Sequence, residues 1–165
     1  MENNRQSSKE YFKFISIIHL AMMLGVVLFG IVVYIFVADF QNPDTQSELA
    51  KLLVYIVPGL VIAGIIASNI IFRLKLNAII GSGDLKVKMA VYRESLIIRY
   101  ILLEGPALFA LVAIYITNNS NFMVYAGLLV VLLAMKRPTI KSAIADLALD
   151  QQEIVTLENS DSTIA

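Results

Sequence analysis

Phe14–Val37 reads FISIIHLAMMLGVVLFGIVVYIFV, 24 residues without one charged side chain. At 1.5 Å of rise per helical residue, a hydrocarbon core of about 30 Å needs roughly 20 such residues. The stretch is therefore long enough to cross a bilayer. Arg5, Lys9 and Lys13 precede it, as in a signal peptide. Its apolar length exceeds the 7–15 residues of a signal-peptide core, and no small-x-small cleavage pattern ends it, so it reads as a retained anchor. Three more apolar segments follow, over Leu52–Phe72, Leu96–Ile116 and Phe122–Met135.

The composition agrees with this reading. Of 165 residues, 58% are hydrophobic and 16% charged, and the mean hydropathy is +0.76. Soluble domains average about 45–50% apolar and about 25% charged. Thirteen Lys and Arg balance thirteen Asp and Glu, which gives no electrostatic pointer to nucleic acid. The absence of Cys excludes disulfides, thiolate metal sites and Cys nucleophiles.

Charge placement orients the segments. If all four cross, eleven Lys and Arg fall on one side and Lys51 alone on the other, with Arg99 inside the third span. Basic residues collect on the cytoplasmic side. The expected fold is all-α: a transmembrane four-helix bundle with both termini in the cytoplasm. Residues 1–13 form the cytoplasmic N-terminus, residues 14–137 the four-span domain and residues 138–165 a cytoplasmic tail. The fourth segment is short, and Lys136 and Arg137 are placed to snorkel at its end. The longest inner loop, Arg73–Ser95, is broken by Gly81-Ser82-Gly83-Asp84 into two basic halves that extend the flanking helices or lie on the membrane surface. In the tail, Pro138 favours a short helix over Thr139–Leu147. Asp150 and Glu153 have capping-box spacing, and Asn159–Ala165 reads as disordered.

The sharpest candidate for chemistry is Glu104. It lies eight residues past Leu96, about 12 Å into the core. A carboxylate near mid-membrane costs about 2.5–3.5 kcal/mol on insertion scales, so it calls for a partner, a proton or a cavity. Pro106, two residues on, has no N–H and frees the carbonyl of Leu102. Gly59, Ala63 and Ala67, with Gly64 and Ser68, form a small face on the second span that permits close helix approach. Counted inward from the cytoplasmic ends, Glu104 is level with Gly64, with Ser68 and Asn69 about a turn nearer the cytoplasm. His19, the single histidine, lies some 8 Å into the first span and is a candidate proton relay or polar interhelical contact. Arg99 is roughly 140° around the helix from Glu104, which disfavours an intrahelical pair. No nucleotide loop, metal cluster or nucleophile triad is written in the chain. No catalytic residue, metal or cofactor is expected, and the protein does not read as an enzyme.

Residues Pro58–Ile116 resemble the helical hairpin of the proteolipid c subunit of rotary ATP synthases. The likeness rests on Asn77-Ala78-Ile79, Gly83-Asp84-Leu85-Lys86 and the run Leu102-Leu103-Glu104-Gly105-Pro106-Ala107-Leu108-Phe109-Ala110. It implies that Glu104 matches a carboxylate that binds the translocated proton or Na⁺, opposite a small-residue helix. The glycine repeat of that family is reduced here to Gly59 and Gly64, and Gly81-Ser82-Gly83 replaces its Arg-Gln-Pro loop. A span also precedes the hairpin and another follows it, so the resemblance concerns a hairpin and not the whole subunit. The tail around Arg137-Pro138-Thr139, Asp146-Leu147 and Glu153 is similar to tails of small, uncharacterised bacterial membrane proteins.

The expected function is that of a small inner-membrane protein of a bacterium that binds a proton or cation at Glu104, between the second and third spans. Gly64, Ser68, Asn69, Pro106 and His19 support the site. The alternative is a structural or assembly subunit that docks a partner through its basic loop and tail. The expected partners are the lipid bilayer and either a second copy or a membrane complex, with no nucleic acid.

Overall fold

The computed structural model describes residues 7–37, 43, 46–79, 81 and 84–159. It is 85% helix, with no strand among the described residues. Among the described residues the helices are α1 (Ser8–Phe36), α2 (Glu48–Asn77), α3 (Leu85–Thr117), α4 (Phe122–Met135), α5 (Ile140–Leu147) and α6 (Gln151–Glu158). The first three are each long and apolar enough to cross a membrane. The fourth meets that test only together with α5, as a bent pair broken between Met135 and Ile140. By length and composition these helices are compatible with a membrane protein.

The helix ends follow from local chemistry. At the start of α1, Ser7 and Glu10 cap each other: the Ser7 amide donates to the Glu10 carboxylate at 3.1 Å and the Glu10 amide to Ser7 Oγ at 3.3 Å. Ser47 Oγ accepts from the Ala50 amide, and Asp84 Oδ1 accepts from the Lys86 amide at 2.9 Å, so a side chain caps the first turn of α2 and of α3. Thr139 caps α5 with Ser142 closing a capping box, and Asp150 caps α6 with Glu153 doing the same. The helix expected from residue 139 thus begins at Ile140, with Thr139 as its cap. Asn118 ends α3 in the left-handed conformation (φ 55°), which asparagine tolerates well.

The two basic halves of the segment Arg73–Ser95 belong to helices. The α2 helix runs on to Asn77 and α3 begins at Leu85. Of the connecting turn, Gly81 has φ +95°, a backbone that glycine adopts without strain. Ser82 and Gly83 lie outside the described residues, as do Asn42 and Asp44 of the turn between α1 and α2 and residues 160–165 of the tail.

The chain divides into two compact units. The first comprises Met1–Leu20, Asn69–Arg99 and Arg137–Ala165. Its core is made by the two short helices against the basic ends of the long ones: Ala143, Leu147, Leu149 and Leu157 are buried, as are Tyr11, Met89 and Tyr92. Polar groups are satisfied across it. Tyr11 donates to the Met89 carbonyl, and Ser8 Oγ to the Leu157 carbonyl at 2.6 Å. The Tyr92 hydroxyl lies 3.2 Å from Ser142 Oγ. Lys88 of α3 reaches both carboxylate oxygens of Glu153 at 2.6 and 2.8 Å, with both side chains about 90% buried. The second unit, Ala21–Ser68 and Tyr100–Lys136, holds the apolar centres of the long helices and all of α4. Its buried residues are almost all aliphatic or small: Val26, Val33, Val57, Val61, Ala107, Ala110, Ile114 and Leu129.

Candidate functional site

Two neighbours fix how α3 is set within the second unit. A methyl group added at Gly64 of α2 would lie 2.6 Å from the Leu102 carbonyl oxygen and 2.9 Å from Pro106 Cγ. The two backbones are therefore in direct contact at this glycine. The carbonyl beneath it is the one that Pro106 deprives of its helical donor. Gly64 thus provides the close approach expected of the small face, and it brings α2 onto the Pro106 turn of α3.

Glu104 points elsewhere. At about 100° per residue it lies roughly 200° around the helix from Leu102 and about 160° from Pro106, so it occupies the side of α3 opposite the Gly64 contact. Its neighbour there is α1: a methyl group at Gly25 would stand 3.7 Å from Glu104 Oε1. Two turns further along the same face, Leu111 meets Gly30 of α1, with its methyl carbons 3.6 Å from a Cβ at that position. Glu104 is set against α1 and not against the small face of α2, where helix rise alone would put it. Depth does hold a signal for Gly25. It lies eleven residues past Phe14, about 16 Å, within a turn of the depth of Glu104. Facing, which depth does not carry, decides between the two glycines.

The carboxylate is half-buried. Among the described residues it takes part in no ion pair and accepts no hydrogen bond. Chemically it is a carboxyl group in an aliphatic setting with a glycine backbone opposite, an arrangement that leaves its oxygens available to a proton or a small cation.

The remaining candidates divide between the units. Ser68, in the second unit, is buried and donates to the Ile65 carbonyl of its own helix at 2.9 Å. Asn69 belongs to the first unit, where its side-chain oxygen accepts from Arg99 at 2.7 Å. Arg99 also stacks over Phe72, 4.4 Å from the ring centroid, so α2 holds this cation through an amide and an aromatic face. His19 is buried in the first unit. Glu104, Gly64, Pro106 and Ser68 therefore share one unit, and Asn69 and His19 lie in the other. No group of three or more His, Cys, Asp or Glu able to hold a metal is found among the described residues. Sequence reasoning missed Gly25 as the neighbour of Glu104, and missed the Lys88–Glu153 pair. Both depend on contacts between helices far apart in the chain. No known protein family, curated protein or solved structure matches this chain.

Proposed function

We propose that the chain is a four-span inner-membrane protein of a bacterium, with both termini in the cytoplasm, and that it binds a proton or small cation at Glu104. The observation that carries this reading is the setting of that carboxylate. It lies in the apolar stretch of α3 beside Gly25, without an ion pair or hydrogen bond among the described residues. Leaving a carboxylate uncompensated in a low-dielectric setting is costly, and a bound proton or cation relieves the cost. The proteolipid-like run around Glu104 supports the same reading. In this proposal the carboxylate is read from the α1 side, while Gly64 and Pro106 hold the hairpin of α2 and α3 together.

Carbodiimide labelling tests it, since these reagents attack protonated carboxyls in apolar surroundings. The purified chain is labelled at several pH values, with and without Na⁺, and the modified residue is found by peptide mapping. Labelling confined to Glu104, absent from Glu104→Gln, and declining as pH rises or as Na⁺ is added is the expected result. A folded sample that stays unlabelled at every pH sinks the proposal. The rival reading, a structural subunit docking a partner through basic residues, draws on the exposed cations of the first unit. It expects Glu104→Gln to be nearly silent or slightly destabilising in assays of the intact protein.

A further inference from the structure

The charged side chains of the first unit are used unevenly. Most of its described acids have a partner within the unit: Glu153 is buried against Lys88, and the exposed Glu94 bonds Lys75 at 2.6 Å, while Glu10, Asp84 and Asp150, also exposed, cap helices. Its cations are mostly not engaged. Lys13, Arg73, Arg137 and Lys141 are exposed, and among the described residues none of them makes an ion pair. These four cations therefore face outward with no carboxylate paired to them among the described residues.

These cations stand where the apolar segments end. Lys13 immediately precedes Phe14, which is 47% exposed, and Arg73 immediately precedes Leu74, which is 64% exposed. Ile17, one turn on from Lys13 and Phe14, is 56% exposed. Arg137 lies in the break after α4, and Lys141 in the first turn of α5. A ligand that satisfies both kinds of surface at once has an anionic head and an apolar body. An acidic protein would engage the cations and leave Phe14, Ile17 and Leu74 in water, which burial of apolar surface disfavours.

We infer that Lys13, Arg73, Arg137 and Lys141 form a binding surface for anionic phospholipids of the adjoining leaflet, with headgroup phosphates on the cations and acyl chains along Phe14, Ile17 and Leu74. Long basic side chains at this depth extend toward the headgroups while their aliphatic stems stay in apolar surroundings. Each cation near an anionic membrane surface contributes about 1 kcal/mol, close to a fivefold change in affinity. The inference does not depend on Glu104.

Native mass spectrometry of the full-length chain in neutral detergent tests it, with phosphatidylglycerol, phosphatidylcholine of the same acyl chains, and inorganic phosphate as probes. Phosphatidylglycerol is expected to be retained in preference to phosphatidylcholine. That preference is expected to fall about fivefold in each of Lys13→Gln, Arg73→Gln and Arg137→Gln, and to fall as salt rises. Equal retention of the two lipids by the wild-type chain overturns the inference without recourse to any variant. So does displacement of phosphatidylglycerol by inorganic phosphate at matched concentration, which would indicate a free-anion site. Displacement by polyglutamate as readily as by lipid would make the surface a dock for acidic protein and would equally overturn it.

Discussion

A methyl group at Gly64 has no room, whereas one at Gly59 meets nothing within 4 Å. The difference is steric: the obstacle at Gly64 is a backbone carbonyl, which cannot rotate away as a side chain does. Gly64→Ala is expected to force α2 and α3 apart and to cost about 1–3 kcal/mol, the usual range for overpacking. Gly59→Ala and Gly127→Ala, both open positions, are expected to be neutral or slightly stabilising, because alanine is the better helix former. Thermal unfolding of the three variants in one detergent checks this, and equal midpoints would refute the close approach. At this scale the sequence shows that Gly64 belongs to a small face, because four-residue spacing is local. It also shows that Leu102 loses its helical donor. That these two features meet each other, and that Glu104 turns to Gly25 instead, is a matter of helix facing.

Among the elements, the two short helices depend most on tertiary contacts. Eight-residue helices are marginal on their own, and α5 and α6 persist through their caps and their docking onto α1 and α3. Glu153 has two roles there. It closes the capping box of α6 by accepting from the Asp150 amide at 2.9 Å, and it receives the buried ammonium of Lys88. Removing one partner of a buried pair leaves the other charge uncompensated, at about 3–5 kcal/mol, while replacing both with apolar groups is often tolerated. Glu153→Gln or Lys88→Met is expected to release α6, seen as new protease cleavage near the exposed, left-handed Ala148 and a lowered unfolding midpoint. The double variant Lys88→Met with Glu153→Leu is expected to recover most of the loss. If the single variants resist proteolysis like the wild type, the pair is not what holds the tail. The capping box of Asp150 and Glu153 is legible in the sequence, since both residues lie within one turn, and the Ser7–Glu10 box has the same spacing. The destination of Lys88 is hidden there: as one of eleven basic residues it counts toward orientation, yet in the fold it is buried and paired.

For the whole molecule, the proposed topology makes a direct prediction. The chain has no Cys, so single cysteines can be introduced without a background. Asn121→Cys, just before α4, is expected to react with a membrane-impermeant maleimide from outside the cell, and Gln151→Cys, at the start of α6, only after permeabilisation. Labelling of both from the same side would mean that α4 turns back instead of crossing. Much of the architecture is legible in the order of residues along the chain. Uninterrupted apolar length marks the long helices, and Ser, Thr and Asp mark where helices begin. These signals are carried by neighbours in the chain and act through solvent and local hydrogen bonding, so the sequence by itself determines them. The tertiary structure alone decided that α1 and not α2 lies beside Glu104, that Gly64 seats the freed carbonyl of Leu102, and that Lys88 is taken into the fold by Glu153. Each of these joins residues tens of positions apart, and the relative rotation of packed helices follows from how side chains and glycine gaps interlock, which no periodicity within one helix encodes.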